Sequence, residues 1–135
     1  VRQDSLWYLI TSVQGEQPNR HLEIHYTGDL LYGDFTPHPV NNEFLYGTRS
    51  HGTGRNAGFI ERQHDGSLIR LMQDSRDYYG QSVCPMQIMV LDPQTFREEP
   101  AARIDSLPGI GAGFPTHHVT RSGVIVAFDT RDRAI

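Results

Sequence analysis

The sequence predicts an all-β fold made of antiparallel meanders. Three observations carry that prediction. Apolar residues fall either in alternation or in short runs, the pattern of strands rather than of helices. Those runs are rich in β-branched and aromatic residues, which fit a pleated, half-buried surface. Between them lie many turn formers, with 13 glycines and 8 prolines in 135 residues.

The elements follow in chain order. Leu6-Trp7-Tyr8-Leu9-Ile10 reads as a buried strand, with Trp7 expected in the core. Leu22, Ile24 and Tyr26 then alternate with polar residues and share one face. Thr27-Gly28-Asp29 turns the chain. Phe59-Ile60 and Leu68 to Met72 flank His64-Asp65-Gly66-Ser67, so they form an antiparallel hairpin. Met86 to Leu91 is a further strand, closed by Asp92-Pro93, and Asp92 to Phe96 reads as a single helical turn. Gly123 to Phe128 is the last strand.

Composition narrows the function classes. Apolar residues make up 37% and charged residues 21%, a balance that supports one folded domain with a core. The formal net charge is −4, and the 12 basic residues, all Arg, are scattered. Nucleic-acid binding needs a clustered basic surface, so that partner is not expected. No run is long and apolar enough for membrane insertion, and no signal peptide is visible. The one cysteine, Cys84, excludes an internal disulfide, favours a reducing, cytoplasmic setting and reads as a small buried hydrophobe. Because the chain opens on Val1 and not Met, secretion stays open as well.

Several motifs match letters but not context. Gly52-Thr53-Gly54-Arg55-Asn56-Ala57 lacks the preceding buried strand and following helix of a dinucleotide site, so no cofactor is expected. Pro108 to Pro115 is glycine-rich and reads as a loop between strands. His21 and His25 would sit about 13 Å apart on a strand, too far to share one metal. His117 and His118 are adjacent and point to opposite faces of a strand. No metal site is expected.

The polar residues that stand out lie beside the predicted hairpin. Asp29, Asp65, Asp92 and Asp132 are placed as turn residues. Asp74 differs because it ends a buried strand, where a charge needs partners. Arg55, just before the facing strand, is the expected partner. Gln73 adds a second polar group there, and Tyr78 and Tyr79 offer aromatic faces suited to sugar rings. Glycoside hydrolysis needs two carboxyl groups across the scissile bond, and no such pair is evident in this chain.

Three segments share one form, a polar turn followed by an apolar strand. They are Gln3 to Ile10, Asp65 to Met72 and Arg121 to Phe128. Their spacing of roughly 55–60 residues is near the range of propeller blades. Further pieces carry a family resemblance: Leu22 to Tyr26 with Asp34 to Pro39, then Arg55 to Gly58, Leu68-Ile69-Arg70 through Gln73-Asp74-Ser75 to Tyr79-Gly80, and Phe96 to Glu99. On these residues the chain resembles the five-bladed β-propeller domain at the N-terminus of plant glucosamine inositolphosphorylceramide transferases and related bacterial proteins. That domain is similar in fold to glycoside hydrolase family 43. Here Arg70-Leu71-Met72 stands where the family usually has Arg-Pro-Ala, and Ser75 where it usually has Cys.

The resemblance implies that residues 1–135 are the later blades, about three of five, with the missing blades or an attached transferase domain as partner. It also implies a carbohydrate ligand in a central cleft lined by Arg55, Gln73, Asp74, Tyr79 and His118. Arg55 would orient Asp74 and bond sugar oxygens. Gln73 and His118 would bond hydroxyls, and Tyr79 would pack on a ring. Three function classes follow: a glycan-binding accessory module of a glycosyltransferase-type protein, a family 43-like glycosidase with carboxylates partly upstream, and a structural β-domain that binds a protein partner.

Overall fold

The computed structural model describes residues 1–14, 20–41, 55–74, 81–101, 116, 118–122 and 125–129. Ten strands lie among them: β1 (Arg2–Gln3), β2 (Leu6–Gln14), β3 (Arg20–Thr27), β4 (Thr36–Pro37), β5 (Asn56–Arg62), β6 (Leu68–Asp74), β7 (Ser82–Leu91), β8 (Phe96–Pro100), β9 (Val119–Ser122) and β10 (Ile125–Phe128). They form a four-stranded sheet in the order β1-β2-β3-β4 and a six-stranded sheet in the order β10-β9-β5-β6-β7-β8. Pairing is antiparallel except between β5 and β9, which run parallel at Gly58 and Val119. The all-β expectation holds among the described residues, and the antiparallel one holds for every pair except β5–β9.

Alternation decides what the first sheet buries. Tyr8 and Ile10 of β2 and Leu22 and Ile24 of β3 turn inward, while Leu9 between them is 47% exposed. Tyr26 packs against the same cluster, so the face read from Leu22, Ile24 and Tyr26 is the inner one. Trp7 is not core. It shares the outer face with Leu9, is half-buried, and stacks under the Arg2 guanidinium, 5.8 Å from its ring centroid. The alternation that buries Tyr8 and Ile10 forces Trp7 outward.

The outer margin of β3 is completed by side chains. Beyond the short β4, the Asn41 amide takes the place of a neighbouring strand. Its Oδ1 accepts from Ile24 N–H at 2.8 Å and its Nδ2 donates to the Ile24 carbonyl at 2.9 Å. Asp29 shapes the loop that follows β3, its Oδ1 accepting from the N–H groups of Leu31 and Tyr32.

In the second sheet, the β5–β6 hairpin turns at the expected residues. Gly66 has φ of 87°, a conformation glycine adopts without a Cβ penalty. Asp65 Oδ1 accepts from the Ser67 N–H at 2.9 Å and from its hydroxyl at 2.7 Å. β6 lies between β5 and β7, and all seven of its residues are buried. The expected helical turn at Asp92 is instead the hairpin turn between β7 and β8. Asp92 Oδ1 accepts from Gln94 and Thr95 N–H groups, both at 2.8 Å, and Asp92 N–H donates to the Thr95 carbonyl at 3.1 Å. An aspartate can cap a helix or close a turn with the same bonds, and here β8 begins at once with Phe96.

β9 approaches β5 very closely. A Cβ on Gly58 would lie 2.0 Å from the Val119 carbonyl oxygen, so only glycine fits there. The β5–β6 register shifts between Asn56 and Ile60, a bulge that contains Gly58.

One core cluster joins the two sheets. Tyr8, Ile10, Leu22 and Ile24 from the first meet Leu68, Ile88, Leu91 and Phe96 from the second, with Val40. Polar ties reinforce it. The Asn56 N–H donates to Ser12 Oγ at 2.7 Å, and its Nδ2 donates to the Ile10 carbonyl at 2.9 Å. The buried His38 ring spans to the β7–β8 turn. Its Nδ1 accepts from Val40 N–H at 3.1 Å, so Nε2 carries the proton and donates to the Asp92 carbonyl at 2.7 Å. A second cluster of Ala57, Ile69, Leu71, Val83 and Val119 covers the other face of the six-stranded sheet.

Candidate functional site

Four of the five expected site residues lie among the described residues, and Tyr79 lies outside them, as do Tyr78, His117 and Asp132. Arg55 directly precedes β5 and is half-buried. Its carbonyl accepts from the Gln73 N–H at 2.8 Å. Gln73 is fully buried and Asp74 is 4% exposed. They face Val83 and Ser82 across the β6–β7 ladder. His118 is exposed and immediately precedes Val119, the residue paired with Gly58.

These registers place Arg55, Gln73, Asp74 and His118 at one end of the six-stranded sheet. β5 starts there, β6 ends there, and β7 and β9 start there. The side chains do not all share a face. Gln73 follows Ile69 and Leu71 toward the second cluster, whereas Asp74 follows Arg70 toward the first sheet. The strand end is where the two faces meet, so both groups can border it.

Two residues at this end escaped sequence reasoning. Asp129 Oδ1 accepts from the His118 N–H at 3.1 Å, and the Asp129 N–H donates to the His118 carbonyl at 3.4 Å. The buried Thr116 hydroxyl donates to the Asp129 carbonyl. Together they hold the chain entering β9 beside β10. The signal for Asp129 was the one used for Asp74, an acid directly after an apolar strand.

Beside the site lies a buried ion pair. Arg70 is fully buried at the middle of β6. Its Nε donates to Glu98 Oε2 at 2.8 Å and its Nη2 to Glu98 Oε1 at 2.7 Å. Its Nη1 donates to Asn56 Oδ1 at 2.9 Å. Asn56 thus links the ion pair, the first sheet and the residue next to Arg55. The sequence offered one sign of it, a charge inside Leu68-Ile69-Arg70-Leu71-Met72 where every neighbour is apolar.

The remaining expectations resolve individually. His21 and His25 both fall on β3. Asn56 and Ala57 open a strand, not the helix a dinucleotide site requires. Cys84 is half-buried on β7. No helix among the described residues is long and apolar enough to cross a membrane.

The described chain is thus an all-β domain of two packed, mainly antiparallel sheets with a polar strand end. The family defined by the N-terminal region of glucosamine inositolphosphorylceramide transferase 1 matches residues 1–106. The chain belongs to that family. Glucosamine inositolphosphorylceramide transferase 1 of Arabidopsis thaliana is 36% identical to it over 103 residues, which is 73% of this chain and 13% of the relative. The chain therefore spans a small part of that relative's length. No solved structure matches it.

Proposed function

We propose that the chain is the later-blade part, about three of five blades, of a five-bladed β-propeller similar to glycoside hydrolase family 43. In this reading it binds glycan in a cleft and serves as an accessory module of a glycosyltransferase-type protein. The observation that carries it is the burial of Gln73 and Asp74 at the end of β6, in a chain whose family is named for a transferase. Buried polar groups at a strand end are costly as packing elements and useful as ligand contacts. Arg55 orients Asp74 and bonds sugar oxygens, Gln73 and His118 bond hydroxyls, and Tyr79 packs on a ring.

The test takes the complete parent protein and a panel of oligosaccharides. Thermal shift reports binding and mass spectrometry reports cleavage. Binding without cleavage, lost in Asp74→Asn and Arg55→Ala proteins that still fold, is the expected result. Cleavage that depends on an upstream Asp would replace the module with a glycosidase. Unchanged binding in both variants would remove these residues from the site.

A second reading is a structural β-domain that binds a protein partner by strand addition. It is favoured by β10, an outermost strand of its sheet, on which Ile125 is 69% and Phe128 49% exposed. Silence of the full protein in both assays would move the weight to it.

A further inference from the structure

A pocket opens at the opposite end of the six-stranded sheet from Arg55 and Asp74. It lies where the β5–β6 turn meets β7 and the first sheet's β1. Its volume is about 350 Å³, within the range of roughly 300–1,000 Å³ typical of small-molecule sites. Gln3, Asp65, Ser67 and Gln87 supply its polar groups, and Ile88 and Met89 contribute to an apolar wall.

Asp65, Ser67 and Gln3 are oriented before any ligand arrives. Asp65 Oδ1 is held by both donors of Ser67, and the Ser67 hydroxyl chiefly keeps the Asp65 carboxyl below its ordinary range. Gln3 Oε1 accepts from Arg62 Nη2 at 3.0 Å, which fixes the Gln3 amide with its NH₂ as the remaining donor. The same Arg62 Nη2 donates to the Arg2 carbonyl and its Nη1 to the Gly66 carbonyl at 3.0 Å, so β1 and the turn are tied together.

From this geometry we propose a binding site for a neutral, monosaccharide-sized polyol. Hydroxyls both donate and accept, so they match the Asp65 carboxylate oxygen and the two glutamine amides at once. The C–H face of a ring would lie against Met89, which is 44% exposed. The Asp65 carboxylate and the Arg62 guanidinium bonded to Gln3 and Gly66 offset one another, so a neutral ligand is favoured over an anion or a cation. The pocket is independent of the strand end proposed above, and either can fail alone.

Amide chemical-shift titration of the full chain tests it, with methyl glucoside, methyl mannoside, sodium glucuronate and ethylammonium as probes. A neutral glycoside should give saturable shifts at Gln3, Ser67 and Gln87. Gln87→Ala and Gln3→Ala should each weaken its binding about tenfold. Glucuronate should not bind. The proposal is overturned if neither glycoside saturates, if both glutamine variants bind as tightly as the wild type, if the shifts fall away from Gln3, Ser67 and Gln87, or if glucuronate or ethylammonium is preferred.

Discussion

Arg70 and Glu98 close a two-pronged ion pair in the interior, with side chains only 1% and 3% exposed. One stands on β6 and the other on β8, with β7 between them. Two parallel N–H···O bonds give the pair geometric specificity as well as energy. Removing one member leaves the other charged and buried. Glu98→Gln should therefore destabilise the chain by about 3–5 kcal/mol in denaturant unfolding, whereas a volume-matched Arg70→Met, Glu98→Leu double variant should recover most of that loss.

Asn56 makes bonds to Ile10, Ser12 and Arg70. Asn56→Ala strips the side-chain part of that junction and leaves the Ile10 carbonyl and one Arg70 donor short of a partner. A loss of about 1–3 kcal/mol is expected by equilibrium unfolding. Asn56→Asp tests the role of the amide: the new carboxylate can still accept from Arg70 but repels the Ile10 carbonyl, so it should remain below the wild type.

Gly58→Ala places a methyl group against the Val119 carbonyl. Backbone cannot give way as a side-chain tip would, so β9 should be displaced. Hydrogen exchange at Val119 to Ser122 should accelerate while the β6–β7 ladder stays protected. Overpacking of this kind costs about 1–3 kcal/mol. Retained protection at β9 would show that the close approach relaxes without consequence.

Two groups are shifted in opposite directions. Burial chiefly raises the Tyr8 phenol above 10.0, helped by the Asp92 and Asp4 carboxylates and by Tyr26. Its contribution is present below pH 10 and is lost as pH rises through the folded value. Asp65 is held below 3.8 by Ser67, so its contribution is present above that value and lost as pH falls through the folded one. Tyrosinate absorbance should show Tyr8 titrating late. Asp65→Asn should lessen the acid sensitivity of the hairpin, read from the Ser67 amide.

Local chemistry made much of this architecture legible. Asp65-Gly66 fixed the β5–β6 hairpin because a left-handed glycine and an aspartate that bonds two residues ahead both demand a turn. The inner face of β3 followed from alternation alone. Asp92 to Phe96 reads as a single helical turn because the Asp92 side chain makes the same bonds there as in a hairpin turn. The unreadable parts depend on distant pairing. Arg70 announced a buried charge, but Glu98 lies on a strand two places away and no local pattern selects it. The bulge at Gly58 depends on β9, which arrives some sixty residues later in the chain. At the candidate site, Asp74 was recognisable as an acid ending a buried strand, whereas the company of His118 and Asp129 requires β9 and β10 to fold back on each other.

Asn41 has a consequence for the solution behaviour of the molecule. An open margin of a sheet is a template on which a second molecule can stack, and such stacking is how many β-rich chains precipitate. Because the Asn41 amide engages both backbone groups of Ile24, an incoming chain finds no free rung there. Asn41→Ala should leave the fold nearly intact yet make the protein clump at concentrations where the wild type scatters no light.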